Sequence, residues 1–200
     1  LSSSSAASDV YKRQEDVCPH FGICGGCLYQ PIPYEEQLAI KEKQVRSLLD
    51  AVCPEYEFEG ILGSPLVQGY RNKMEFSFGD EVKDGPMSLG MHKRGSFYDV
   101  VTTGECHIVH PDFCKILVCT KEYFEEKKVG FYKKMQHTGY LRHLLVRRAI
   151  KTGEILVDLI TTTQTDTFEG TEEALLRGWT ERLQALRMEG SFAAVSYTHL

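Results

Sequence analysis

Apolar residues recur at two periods along this chain, and the changes from one period to the other outline its elements. Between residues 34 and 52, Leu38, Val45, Leu48, Leu49 and Val52 fall at helical spacing, with Lys41, Glu42 and Arg46 turned away from them. Pro33 stands just ahead, where a helix tolerates proline. From about 69 to 102 the period shortens to two. Met74, Phe76 and Phe78 alternate with Glu75 and Ser77, Asp84-Gly85 marks a turn, and Met87, Leu89 and Met91 resume the alternation. That pair predicts a hairpin, and 98–102 a third short strand. Phe113, Leu117 and Phe124 predict a helix from Pro111 to Glu126. Two strands near 141–149 and 154–162 follow, joined by Lys151-Thr152-Gly153, and then a helix over roughly 171–188 carrying Leu175, Leu176, Trp179, Leu183 and Leu186. The order helix, strands, helix, strands, helix predicts an α+β domain: a mostly antiparallel sheet with flanking helices.

The two ends break this pattern. Residues 1–14 are rich in Ser and Ala with no amphipathic period, and 195–200, VSYTHL, follow an interrupted apolar run. Both read like translated adapter sequence. The expectation is a tail over 1–14, one central domain over 15–194, and a second tail over 195–200.

Composition adds limits. The 200 residues are 42% hydrophobic and 26% charged, an ordinary globular balance, and no apolar run is long enough to span a bilayer. The seven cysteines, with no secretory signal ahead of them, suit a reducing cytoplasm in which thiols bind metal instead of pairing. The formal net charge of −5 argues mildly against a nucleic-acid partner, but the distribution changes that picture. Residues 131–153 contain no acid, while Lys133, Lys134, Arg142, Arg147, Arg148 and Lys151 supply six positive charges. On a regular strand Arg142, Leu144, Val146 and Arg148 would share one face, with His143, Leu145 and Arg147 on the other. These cations either meet RNA or pair with acids from elsewhere in the fold.

The densest chemistry lies in Cys18-Pro-His-Phe-Gly-Ile-Cys24-Gly-Gly-Cys27. Three thiols share a short loop in which Gly22, Gly25 and Gly26 let the backbone fold tightly and aim its N–H groups inward. This suits an iron–sulfur cluster, whose sulfurs accept hydrogen bonds from amides. A cubane needs a fourth thiolate from Cys53, Cys106, Cys114 or Cys119. Cys53 ends a helix, and Cys114 and Cys119 lie within one, where cysteine is usually a small apolar residue. Cys106, in the loop Gly104-Glu105-Cys106-His107, is the best placed. Structural zinc uses the same ligands and stays open, although no second C-x2-C pair is present. His20 reads as a loop residue packing nearby.

The stretch from Cys18 to Lys41, CPHFGICGGCLYQPIPYEEQLAIK, resembles the cluster-binding signature of RumA/RlmD-type 23S rRNA (uracil-5-)-methyltransferases: C-x5-CGGC, then Gln30, Tyr34, Gln37 and Lys41. Gly69-Tyr70-Arg71-Asn72-Lys73-Met74 resembles that family's YRNK segment. Gly104 to Ile108 resembles the place of its fourth cluster cysteine, and the stretch from Leu141 the strand pair that follows. The resemblance covers about 15–194 and implies a [4Fe–4S] cluster on Cys18, Cys24, Cys27 and Cys106. It also implies RNA contacts from Arg71, Asn72 and Lys73, with Arg and Lys on phosphate and Asn on a base edge.

In that family a C-terminal Rossmann-like domain binds S-adenosylmethionine and carries the cysteine that adds to uracil C6. Neither a Gly-rich cofactor loop nor a Pro-Cys segment is present here, so no catalytic and no S-adenosylmethionine-binding residue is assigned. The expectation is a fragment of an rRNA uracil-C5 methyltransferase, inactive alone, cytoplasmic and monomeric, with 23S rRNA as its RNA partner. Two alternatives remain: a tRNA uracil-C5 methyltransferase fragment, and a zinc-stabilised RNA-binding module with no enzyme attached.

Overall fold

The computed structural model describes residues 17–53 and 55–200, so the expected tail over 1–14 lies outside the described residues. The chain separates into two compact units, one holding Leu28–Val67 and the other Cys18–Cys27 with Gln68–Leu200. The sequence reading treats 15–194 as one domain.

In the first unit, helix α1 (Tyr34–Asp50) forms where the apolar period predicts it, yet it buries no residue. Its stripe stays in solvent, with Leu48 72% and Val52 80% exposed. A helix without a buried face adds nothing to a core, and packing is the main source of helix stability in proteins. The extended segment after it is tied locally: Arg46 stacks over Phe58, and the Ser64 N–H donates to the Tyr34 hydroxyl at 2.6 Å.

The second unit is built on a six-stranded sheet. Strands β1 (Lys73–Asp80), β2 (Met87–His92), β3 (Val100–Thr102), β4 (Leu141–Arg148), β5 (Glu154–Thr161) and β6 (Ser191–His199) lie in the order β3-β2-β1-β4-β5-β6. All neighbours are antiparallel except β5 and β6. Helix α2 (Pro111–Glu126) precedes β4, and helix α3 (Glu172–Gln184) makes the crossover from β5 to β6.

One face of the sheet carries the core. Phe76, Leu89, Leu144, Val146, Ile155, Val157 and Leu159 are completely buried and form one cluster with Phe113, Ile116, Leu117 and Phe124 of α2 and Trp179 and Leu183 of α3. The polar tips inside are satisfied: Trp179 Nε1 donates to Thr120 Oγ1 at 3.1 Å, and the Tyr123 hydroxyl to the Leu175 carbonyl at 2.7 Å. Within this unit α2 and α3 both pack on the core face, and an antiparallel sheet can carry other chemistry on its second face.

Two features depart from the sequence reading. The first is a bulge in β4 between Leu141 and His143. The extra residue shifts the alternation by one, so Leu141 and Leu144 both point into the core while Arg142 does not share the face of Leu144 and Val146. The second is β6. Residues 195–199, expected to lie outside the fold, complete a nine-residue strand paired along its length with β5. Backbone pairing needs no apolar pattern, and most of its side chains are exposed.

Asp112, in the first turn of α2, anchors the approach to that strand. Its completely buried carboxylate accepts the Glu189 and Gly190 N–H groups at 3.1 and 2.9 Å. No helix among the described residues is long and apolar enough to cross a membrane.

Candidate functional site

The cysteine loop is a chain of tight turns docked on the turn between β2 and β3. The Cys24 N–H donates to the His20 carbonyl at 2.9 Å, the Gly25 N–H to the His92 carbonyl at 2.9 Å, and the Arg94 N–H to the Ile23 carbonyl at 2.7 Å. Arg94 also reaches back with its guanidinium to the Cys27 carbonyl at 2.8 Å and lies over the Phe21 ring. Arg94 sits in no motif, and sequence reasoning missed it. His20 packs beside the loop as expected, with Nε2 accepting the Glu105 N–H at 3.2 Å. Burial holds its pKa below the ordinary value, which keeps the ring an acceptor.

That last bond brings the loop to the segment around Cys106. The Cys18 thiol points at the Glu105 carbonyl, 3.6 Å away. Burial pushes the Cys106 thiol up to about 11, and the neighbouring Cys18 and Cys114 sulfurs push the same way. The N–H groups of Ile108 and Val109 oppose this by facing the Cys106 sulfur. Cys24 and Cys27 are raised too, by burial first and by the other loop sulfurs second, although the Gly26 N–H donates to Cys24 Sγ at 3.3 Å.

The four expected ligands are therefore electrostatic neighbours in one unit. Cys114 joins them, donating its thiol toward the Cys106 carbonyl at 3.8 Å and sensing the Cys18 sulfur. Its helical position had set it aside, but it lies one turn into α2, beside the loop that carries Cys106. Cys53 is exposed in the other unit, and Cys119 faces Arg182 and Glu122. Among the described residues no group of three His, Cys, Asp or Glu side chains is arranged to hold a metal ion. The donor chemistry suits a cluster of iron and sulfide: thiols held in proximity and backbone amides turned toward sulfur.

The YRNK segment lies against the same place. The Arg71 N–H donates to the Ile108 carbonyl at 2.9 Å, and the Arg71 charge reaches Cys27. Tyr70 senses both Cys27 and Cys106. Arg71, Asn72 and Lys73 are all exposed, and Tyr70 is 47% exposed. Arg71 Nε bonds the Lys73 carbonyl at 3.3 Å, while Lys73 Nζ lies 3.4 Å from Glu75 in an open ion pair that a phosphate could displace. Segments more than forty residues apart thus bring Tyr70 and Arg71 beside Cys27, with Tyr70 near Cys106 as well.

The basic stretch 131–153 divides. Lys133 pairs with Asp84 at 2.7 Å, and Arg148 with Glu189 at 3.4 Å. Arg142 stacks on the Tyr132 ring, and Lys134 has no carboxylate partner among the described residues.

A scan against protein-family models finds no match. The chain is 53% identical over 156 residues to an uncharacterized RNA methyltransferase of Clostridium acetobutylicum, covering 78% of this chain and 34% of that protein. It is 42% identical over 191 residues to another of Clostridium tetani, covering 95% and 40%. It is 33% identical over 144 residues to the tRNA (uracil(54)-C(5))-methyltransferase of Pyrococcus furiosus, covering 72% and 32%. The crystal structure of Pyrococcus abyssi tRNA (uracil-54, C5)-methyltransferase in complex with S-adenosyl-L-homocysteine matches with a TM-score of 0.61 at 23% identity, covering 88% of this chain and 36% of that one. That likeness bears on the fold, which is shared. The chain spans about a third of the length of the curated relatives it matches, and over that span it is a homologue of proteins named RNA methyltransferases.

Proposed function

We propose that this chain is the RNA-holding part of an S-adenosylmethionine-dependent RNA uracil-C5 methyltransferase, acting in the cytoplasm as a monomer, with a [4Fe–4S] cluster on Cys18, Cys24, Cys27 and Cys106. The observation that carries this reading is the junction of the cysteine loop, the Cys106 segment and the YRNK segment on one surface. The cluster, when bound, would supply a covalent cross-link between chain segments far apart in sequence, with no electron transfer required by methyl transfer. This chain's own residues bind: Arg71 and Lys73 take phosphates, Asn72 a base edge, and Tyr70 offers a ring for stacking.

The substrate favoured by the CGGC loop is 23S rRNA. The relative and the solved structure named as tRNA methyltransferases favour tRNA as a second reading. The test is methyl transfer from labelled S-adenosylmethionine by the complete enzyme to 23S rRNA and to tRNA, with the Arg71→Ala/Lys73→Ala variant in parallel. The expected result is methyl-5-uridine in one of these RNAs and a loss in kcat/KM of ~10-fold or more in the variant, as two lost charged phosphate contacts require. An unchanged kcat/KM would move the RNA surface elsewhere.

A further inference from the structure

The face of the sheet opposite the helices holds a cavity of about 580 Å³, within the range that small ligands occupy. Neighbouring strands build its floor. Ser77 of β1 pairs in register with His143 of β4, and its hydroxyl lies 3.3 Å from His143 Nδ1. His92, at the end of β2, adds a second imidazole, whose ring senses the Asp99 carbonyl and whose buried Nδ1 has no hydrogen-bond partner among the described residues. Burial lowers the pKa of both rings and the Lys134 charge lowers it further, so each is neutral near pH 7 and can both donate and accept.

The segment 131–136 and the turn before β3 wall the cavity with Tyr132 and with Tyr98, which is 61% exposed. The charges at its rim are uneven. Lys133 is engaged by Asp84, and Asp80 accepts the Asp84 N–H at 2.8 Å. Lys134 has no carboxylate partner among the described residues, and Arg142 reaches the rim because the β4 bulge releases it from the core face.

Aromatic rings, neutral groups that can read a base edge, and cations at the mouth form the combination by which proteins take single-stranded RNA. We propose that this cavity seats one unpaired nucleotide of the RNA, its base among Tyr98, His92 and His143 and its phosphate at Lys134 and Arg142. The inference rests on the RNA reading above and adds a second contact point, distinct from the YRNK segment.

The test uses the full chain and a short RNA carrying one 2-aminopurine, whose fluorescence falls on stacking, against a fully paired hairpin of the same charge. Tyr98→Ala and Lys134→Ala are both at exposed positions, and unchanged thermal midpoints would show that the fold is kept. Each is expected to weaken single-strand binding by ~10-fold, in line with the loss of one stacked base, to abolish the quenching, and to leave hairpin binding unaltered. Equal losses on both RNAs, or no loss on the single strand, would overturn the pocket while leaving the Arg71 and Lys73 surface standing. Binding of uridine monophosphate as tightly as the strand would reassign the pocket to a free nucleotide. Binding of neither RNA by the unaltered chain would remove the RNA reading and the pocket together.

Discussion

A buried thiol resists ionisation because its anion loses the hydration that water gives it. At Cys24, Cys27 and Cys106 this resistance is reinforced by neighbouring sulfurs, and at Cys106 it raises the pKa to about 11. A metal–sulfur centre removes the protons and neutralises the charge, so loading must release protons and weaken as pH falls. Anaerobic reconstitution with iron and sulfide is expected to release one proton per coordinating thiol near neutral pH, over and above those shed by the hydrosulfide that is incorporated, and to fail progressively below it, as titration in weak buffer against a Cys24→Ser control would register. Cys24→Ser and Cys106→Ser should lose the cluster absorbance, whereas Cys53→Ser and Cys119→Ser should keep it. Cys114→Ser decides the fourth ligand: retention supports Cys106, and loss with Cys106→Ser retained transfers the role. The loop cysteines were legible from their spacing. The approach of Cys114 was not, because helical periodicity describes the faces of one element and carries no information about which loop lies against it.

At the scale of elements, α2 and α3 meet where the latter has no side chain. A Cβ at Gly178 would stand 2.5 Å from the Tyr123 hydroxyl oxygen, the atom that bonds the Leu175 carbonyl. Alanine at an interior helix position gains about 1 kcal/mol of propensity over glycine. Overpacking costs ~1–3 kcal/mol, and displacing the hydroxyl forfeits a further ~1 kcal/mol of hydrogen bond. The sum predicts that Gly178→Ala destabilises the chain by ~1–3 kcal/mol in urea unfolding. Against a Tyr123→Phe background the clash is relieved, and the same substitution should be neutral or stabilising. An unchanged penalty there would place the strain elsewhere. The helices and strands β1, β2 and β5 were legible because each carries a period of two or of nearly four, and β3 and β4 because apolar residues cluster there between turn signals. Strand β6 and the β4 bulge were not, since an edge strand held by backbone pairing needs no apolar alternation and a single extra residue leaves composition unchanged.

For the whole molecule, the carboxylate of Asp112 joins the start of α2 to the entry of β6. Burial alone would raise its pKa, but the Gly190 and Glu189 N–H groups, His110 and Lys115 outweigh burial and hold it below the ordinary carboxylate range. A folded value below the unfolded one gives stability that is complete above the unfolded pKa of about 3.9 and is lost as pH falls through the folded value. The unfolding midpoint should therefore drop in this acid window. Asp112→Ala, which takes the acceptor from two part-buried N–H groups, should cost ~1–3 kcal/mol at pH 7 and flatten that dependence. Binding is expected to follow charge in the same global way. RNA affinity should fall steeply with salt, and Arg71→Ala/Lys73→Ala should reduce the slope of log K against log salt by about two if each cation holds one phosphate. With a formal net charge of −5, the remainder of the surface opposes this binding, so local placement of cations matters more than their number.

The bulge between Leu141 and His143 makes the length of β4 carry information as well as its composition. Removing Arg142 would bring the strand into phase throughout, with Leu141 moved next to His143 and every apolar residue still available to the core. The shortened chain should fold with a thermal midpoint at or above that of the original, because an irregularity is gone. What it would lose is a guanidinium at the mouth of the cavity. A one-codon deletion of this kind would separate folding from recognition more cleanly than any substitution, because it leaves the other side chains of the sheet facing as they do now.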